Sequence, residues 1–400
     1  MDEHVNAIAQ RAWEHLRHLA VDIGPRPSTR EGELQAAHYA RDVLKAAGVQ
    51  EVREELFLSG RETYWPYVIS LGAGLLGNVI FLTKPNRKRG VIAALLNALG
   101  AWGFYAEANF DDHWARHLLP KGVSQNVVGV IPAADKPQRR IVLMGHLDTH
   151  RTPFFYNVPL LLRMFSSLVS AAFVSLPLSA LFTLMRAVGN VPGFSGLVGL
   201  ITAFQAFAMG MSIQAETTPH TPGANDNASG AAVVLALAEH LAQHPLPHTD
   251  VWVVLTGCEE VGAYGADALL KAHGEELRDA YFINVDMVGV GVPAILEREG
   301  LLKSYHPDPL LLRVAMEVAA EHPEWNTGPH AAAAYTDIGV IIKHGYRGIT
   351  IDSVVPPMHP AHQHMGYWHQ LRDRFENVEQ ECVAKAAAYV LAFLQRLDAL

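Results

Sequence analysis

Val251-Trp252-Val253-Val254-Leu255-Thr256-Gly257-Cys258-Glu259-Glu260 is the stretch that decides how this 400-residue chain folds. An apolar run of strand length, closed by a glycine, reads as a strand buried on both faces. Two adjacent carboxylates then stand at its C-terminal end. Like charges side by side repel, and an apolar setting raises the cost, so the pair calls for a neutralising partner such as a metal ion. Such a pair divides the labour: one glutamate binds metal and the other takes a proton from metal-bound water. A solvated loop pair is the plainer alternative, and the apolar strand before it argues against that. Cys258 reads as a small buried hydrophobe rather than a nucleophile.

The same grammar recurs on either side. Residues 126–132 and 140–145 read as a strand pair, the second ending at His146-Leu147-Asp148. Residues 281–285 read as a strand ending at Asp286, and 348–351 as another short strand. Helices are expected over 229–244, 263–273, 309–321 and 378–397. Strand–helix alternation with polar residues at strand C-termini implies an α/β fold with a mostly parallel sheet and its site on that edge. Near the N-terminus, a charged amphipathic helix over residues 1–22 is broken by Gly24-Pro25-Arg26-Pro27. Ser28 with Glu31 forms a capping-box pattern ahead of a helix that stops at Gly48, and residues 49–58 read as a strand.

Residues i and i+2 at a strand end point to one side, so His146 can bind a metal while Asp148 accepts a hydrogen bond from its other ring nitrogen. Asp226 lies in Gly223-Ala224-Asn225-Asp226-Asn227-Ala228-Ser229-Gly230, where small residues let backbones approach closely. It reads either as a helix N-cap or as a carboxylate bridging two metal ions. Asp286 is a charge at an apolar strand end, which favours a ligand role.

Composition bounds the alternatives. A net charge of -9 argues against a nucleic-acid partner. Two cysteines exclude a disulfide scaffold. Gly193-Phe194-Ser195-Gly196-Leu197 lacks the second glycine of a serine hydrolase elbow. No nucleotide-binding glycine fingerprint or Walker sequence is present.

Two apolar blocks interrupt the soluble pattern. Residues 63–83 and 90–106 carry no charge and flank a basic turn containing Lys84, Arg87, Lys88 and Arg89. From 152 to 215 only Arg163 and Arg186 are charged, and residues 189–193 read as a turn between two helices. These stretches suit membrane-embedded helical hairpins; buried core helices, an oligomer interface or a hydrophobic cap over a substrate tunnel are the alternatives. An even number of crossings lets the soluble pieces meet on one side. The basic turn belongs on the cytoplasmic side, which sets the soluble pieces outside and demands export of residues 1–62 without a cleavable signal. Monotopic insertion avoids that conflict. The expected location is therefore membrane-associated, with a cytoplasmic protein as the alternative.

Taken together, "GANDNASGAA", "EEVGAYGA" and the Gly24-Pro25-Arg26-Pro27 segment resemble the M28 family of di-zinc aminopeptidases and related metallohydrolases. The resemblance implies a three-layer α/β/α fold with a mostly parallel, mixed central sheet, to which the helical hairpins are added. It places one catalytic domain in residues 1–62, 110–151 and 216–400, interrupted by insertions at 63–109 and 152–215. It implies that His146 and Asp286 hold one zinc, that Asp226 bridges to a second held by Glu260, and that Glu259 is the general base, with Asp148 as the catalytic partner of His146. A cis peptide between Asp226 and Asn227 is part of the same pattern. Among His359, His362, His364 and His369, the family spacing to Asp373 and Asn377 selects His369 as the last ligand. Cobalt or manganese suits the same ligands. Tyr335 or a nearby loop group is a candidate oxyanion donor.

The expected activity is hydrolysis of peptide bonds, most simply as an aminopeptidase. A di-metal hydrolase of N-acylated or lipid-linked amides is the alternative on the same fold, and a silent membrane receptor or scaffold the alternative of another class. A peptide or amide substrate, no nucleic acid, membrane contact through 63–109 and 152–215, and a homo-oligomer as an option are the associated partner expectations.

Overall fold

The computed structural model describes residues 3–189 and 194–400, so the expected turn at 189–193 lies, Gly189 apart, outside the described residues. In chain order its main helices are α1 (Glu3–Arg17), α2 (Glu31–Ala46), α3 (Trp65–Thr83), α4 (Arg87–Glu107), α5 (Phe165–Gly189), α6 (Phe194–Glu216), α7 (Gly230–Gln243), α8 (Tyr264–His273), α9 (Pro309–Glu321), α10 (Asp337–Lys343) and α11 (Gln380–Asp398). Its strands are β1 (Gln50–Gly60), β2 (Lys121–Ile131), β3 (Arg139–His146), β4 (Thr249–Thr256), β5 (Tyr281–Val285), β6 (Val292–Arg298), β7 (Gly328–Ala331) and β8 (Arg347–Val354). The chain divides into two compact units. One comprises Met1–Arg61, Lys121–Thr152 and Pro219–Leu400; the other comprises Glu62–Pro120 and Pro153–Thr218.

The first unit is built on a mixed sheet in the order β1-β2-β4-β3-β5-β8-β6-β7. Its centre, β4-β3-β5-β8, is parallel throughout. Alternate residues of each strand bury on opposite faces, as strand geometry requires. Ile141, Leu143, Val251, Val253 and Leu255 join the core that α1, α2, α7, α9 and α11 cover. On the far face, α8 packs with α10, and Ile338 and Ile341 of α10 lie against Gly348 of β8. Helices on both faces make this the expected three-layer α/β/α arrangement.

Three local expectations are corrected. The segments 126–132 and 140–145 do not pair with each other, because β4 lies between them, antiparallel to β2 and parallel to β3. The strands β6 and β7 escape the sequence reading, since each is short and carries a proline, Pro293 and Pro329. Ser28 is not a helix cap. Its hydroxyl donates to Asp148 Oδ2 at 2.6 Å, and α2 starts after Arg30 with no side-chain cap.

The second unit holds four long helices. α3 packs on α4 and α6, and α5 packs on the same two, so the four close into a bundle. Its interior combines buried apolar side chains, Leu71, Phe81, Leu176 and Val198 among them, with a polar network. Asn97 Nδ2 and Ser179 Oγ both donate to Asn78 Oδ1 at 2.8 Å, and Asn78 Nδ2 donates to Gln205 Oε1 at 3.0 Å. One side chain from each helix thus meets in a fully buried network. Glycines allow the close approach: a side chain at Gly100 would strike the Ser70 carbonyl, and one at Gly90 the Thr183 carbonyl. The outside is apolar, with Leu95, Val188 and Leu200 66%, 75% and 71% exposed. Glu216, at the end of α6, accepts from the amides of Tyr64 and Trp65, a carboxylate set at the positive N-terminal end of α3.

Polar glue inside, small residues at the contacts and bare apolar side chains outside is the pattern of helices packed in lipid. Among the described residues, α3, α5 and α6 are long and apolar enough to cross a membrane by length and composition. Replacing the shared acceptor, Asn78→Ala, should lower bundle stability by about 0.5–2 kcal/mol. Thermal unfolding in detergent micelles checks this, and an unchanged midpoint would contradict the network's role.

Candidate metal centre

Parallel register brings the chemistry to one sheet edge. His146 ends β3 opposite Thr256, the last residue of β4, and the Glu259–Glu260 turn follows directly. Asp286 follows β5. Asp226 sits in the turn that enters α7, where the Asp226–Asn227 peptide is cis. His369 lies in the loop before α11. His146, Asp226, Glu260, Asp286 and His369 are all buried.

Asp226 stands between two imidazoles. Its Oδ1 is 3.3 Å from His146 Nε2 and its Oδ2 is 3.2 Å from His369 Nε2. His146 Nε2 also lies 3.7 Å from Asp286 Oδ1. His369 Nε2 lies 3.2 Å from Glu260 Oε2. One carboxylate therefore connects two donor groups, His146 with Asp286 and His369 with Glu260. The donor atoms of His146, Asp226 and Asp286 fall within 4.8 Å of one another, as do those of His146, Glu259 and Glu260. Asp286 Oδ1 is buried with no hydrogen-bond donor. An oxygen and nitrogen donor set this dense, sealed from water and short of donors, fits divalent ions of the zinc type.

A second set of residues holds these donors in place. Asp148 is fully buried, and its two oxygens accept the amides of Glu259 and Glu260 at 3.0 and 3.1 Å. His146 Nδ1 lies 3.2 Å from the Asp148 main-chain oxygen and 3.5 Å from its carboxylate. So Asp148 fixes both the ring of His146 and the glutamate turn. Arg26 is buried completely and donates to five carbonyls: Leu19, Gly24, Leu147, Pro222 and Gly223. It thereby ties the His146 loop to the Asp226 turn. Asp373 accepts the amides of Asn225 and Asp226 at 2.6 and 3.1 Å. Asn227 binds Val285 O, Gly230 N and Met287 N, and Asn225 reaches Gly366 O and Gly289 N. At Gly223, where φ is +59°, and at Gly230, a Cβ would collide with neighbouring atoms of this turn.

Electrostatics reflect the crowding. Burial opposes charge on Asp226, but His146 and His369 outweigh it and hold this carboxyl well below the usual range. Burial also opposes charge on His146, yet Asp286, Asp148 and Asp226 raise it well above the ordinary imidazole value. His369 is raised to about 9 by Glu260 and Asp226 against its burial. Burial and Asp226 lift Glu260 to about 7. Glu259 is pushed well up by burial and by Glu260, Asp337 and Asp286. Each of these shifts reflects the cost of burying several carboxylates side by side.

Of the four C-terminal histidines, His369 is the one that faces Asp226 and Glu260. His359 pairs with Glu379, His362 with Val355 O, and His364 with Arg372. The Tyr335 hydroxyl accepts from Leu302 N. His150 was missed by the sequence reading. Its ring stacks on His369 with centroids 3.5 Å apart, and it forms a further donor group with Glu260 and His369. Its two-residue offset from Asp148 was the available signal. Glu33, Glu299 and Asp337 were also missed; all three are buried carboxyls raised to about 8, 8 and 7, chiefly by burial.

Residues 210–394 match the model of peptidase family M28. The M28 match covers Asp226, Glu259, Glu260, Asp286 and His369, while His146 and Asp148 precede it. A vacuolar membrane protease of Clavispora lusitaniae is 26% identical over 194 residues, 48% of this chain. The chain spans only 18% of that relative's length. Among solved structures, the zinc aminopeptidase BSAP of Bacillus subtilis aligns with a TM-score of 0.55 at 15% identity, over 96% of this chain and 94% of its own. An Acidobacteriales bacterium glutaminyl cyclase aligns with a TM-score of 0.57 at 15% identity, over 98% and 95%. The fold is that of the zinc aminopeptidases and of glutaminyl cyclases alike.

Glu299 offers a test of the buried-carboxyl environment. Its Oε2 accepts from Thr336 Oγ1 at 2.8 Å and its Oε1 is buried without a donor. Burial pushes its carboxyl from the ordinary 4.5 up to about 8. Stability from the protonated form is thus fully present below about pH 4.5 and lost as pH rises through about 8. Glu299→Gln should match the wild type in denaturant unfolding near pH 4.5 and exceed it near pH 8. A constant difference between the two proteins across that range would contradict the assignment.

Proposed function

We propose that this chain is a membrane-associated metallohydrolase that cleaves peptide bonds, acting as an aminopeptidase. The observation that carries the reading is Asp226, with one oxygen on the His146–Asp286 side and the other on the His369–Glu260 side. His146, Asp226 and Asp286 would hold one zinc ion, and Asp226, Glu260 and His369 a second. When bound, such a pair polarises the scissile carbonyl and lowers the pKa of water to near neutrality.

The chain's own residues do the rest. Glu259 lies beside this donor set without belonging to either proposed ligand trio, and it takes the proton of the attacking water and delivers it to the leaving amine. Its raised proton affinity, caused by burial and by neighbouring carboxylates, suits a base that must also act as an acid. Asp148, through the amides of Glu259 and Glu260, keeps base and ligand at a fixed offset. Its contact with His146 orients that ring. The apolar exterior of the 62–120 and 153–218 unit supports anchoring in a bilayer, which matches the description of the Clavispora relative as a membrane protease.

Glu259→Gln should reduce kcat on aminoacyl-anilide substrates by about 10²–10⁴-fold while zinc content stays at the wild-type level. Near-wild-type turnover would reject the mechanism. Because glutaminyl cyclases share the fold at the same similarity, intramolecular amide chemistry is the second reading. Peptides beginning with glutamine discriminate: release of the N-terminal amino acid supports the peptidase, and release of ammonia with retention of the residue supports the cyclase.

A further inference from the structure

A second cluster of histidines lies away from the metal centre, on helices of the same unit. His240, on the last turn of α7, and His244, just beyond it, are four residues apart, and the His244 amide donates to His240 O at 2.9 Å. The helical turn therefore persists through both, which puts their rings on one face. His4, on the first turn of α1, completes the group. The ring centroids are 4.9 Å apart for His240–His244, 5.5 Å for His4–His244 and 5.9 Å for His4–His240. One ring nitrogen from each falls within 4.8 Å of the others. The three line a cavity of about 390 Å³.

The surroundings leave these rings to a cation. Glu239, the nearest acid on α7, is committed elsewhere: both its oxygens receive Arg11, at 2.8 and 2.7 Å, and His15 lies 3.2 Å from one of them. The same pair neutralises Arg11, which Glu14 also binds at 2.6 Å. Asp398, which lines an adjoining cavity with His240 and His244, accepts from His248 N and Thr249 Oγ1. Burial, His244 and His4 together hold His240 below its ordinary value, and a ring nitrogen binds a metal in its neutral form.

We propose that His4, His240 and His244 form a binding site for a divalent transition metal, zinc above all, that staples α1 to α7 and leaves a fourth position for water. Tetrahedral zinc needs nitrogens about 2.0–2.1 Å from the ion. Binding draws the three ring nitrogens together, and His4, exposed on the first turn of its helix, has open space around it. The site does not share a ligand with the Asp226 cluster. Its occupancy therefore acts on the N-terminal helix and on α7, the helix that the Asp226 turn enters.

Zinc content after equilibration with micromolar zinc and removal of free metal tests this. The wild type should hold one equivalent more than His4→Ala, His240→Ala or His244→Ala, and the control His322→Ala should match the wild type. Competition with a chromophoric chelator should show the extra site weakened at least tenfold in each of the three variants. Equal zinc content in all proteins would overturn the site. Loss in the α7 variants with full retention in His4→Ala would overturn the interhelical staple. His4→Ala alters only an exposed side chain, so the test survives any folding defect in the α7 variants.

Discussion

Burying several carboxylates beside two imidazoles is the constraint on which this structure turns. Asp226 shares its two oxygens between His146 and His369, while Glu260 and Asp286 approach from either side. Such a group cannot be stable as bare negative charge in a water-poor pocket. Protons or metal ions must balance it, and the crowding shifts His146, His369 and Glu260 toward their protonated forms. Much else in the unit serves to bring these groups together. The parallel core β4-β3-β5-β8 sends His146, Glu259, Glu260 and Asp286 to one edge, and the fully buried Arg26 and Asp373 lock the Asp226 turn against it.

Much of this was legible in the sequence because burying charge is costly. A carboxylate pair after Val251–Thr256, an aspartate after residues 281–285 and a histidine after residues 140–145 each break a local rule, and such breaks mark function. The mixed eight-stranded sheet follows the expected fold class. What stayed hidden were relations between distant segments. Nothing local shows that β4 separates β2 from β3, or that Ser28 spends its hydroxyl on Asp148 instead of capping α2. Arg26 reads as part of a helix break, although its five carbonyl partners come from four separate places in the chain. His150 was one histidine among 21, and only the fold stacks it on His369.

The apolar helices show the opposite limit. Hydropathy revealed the long uncharged stretches, but not that their few polar side chains converge. Asn78, Asn97, Ser179 and Gln205 come from four helices and hydrogen-bond to one another in the interior, while apolar side chains such as Leu95, Val188 and Leu200 face outward. The bundle differs from the first unit in leaving many large apolar side chains exposed alongside its buried ones. The two units thus carry separate physical features, one an apolar exterior over a polar network and the other a charged pocket.

We propose that the pocket's negative charge holds a pair of ions bridged by Asp226. A crystal structure of the zinc-loaded protein, with anomalous data at the zinc edge, tests it most directly. The account predicts two peaks about 3.5–4 Å apart, one contacting His146 and Asp286, the other Glu260 and His369, and both contacting Asp226. A single peak, or ions that leave Asp226 uncoordinated, would contradict it.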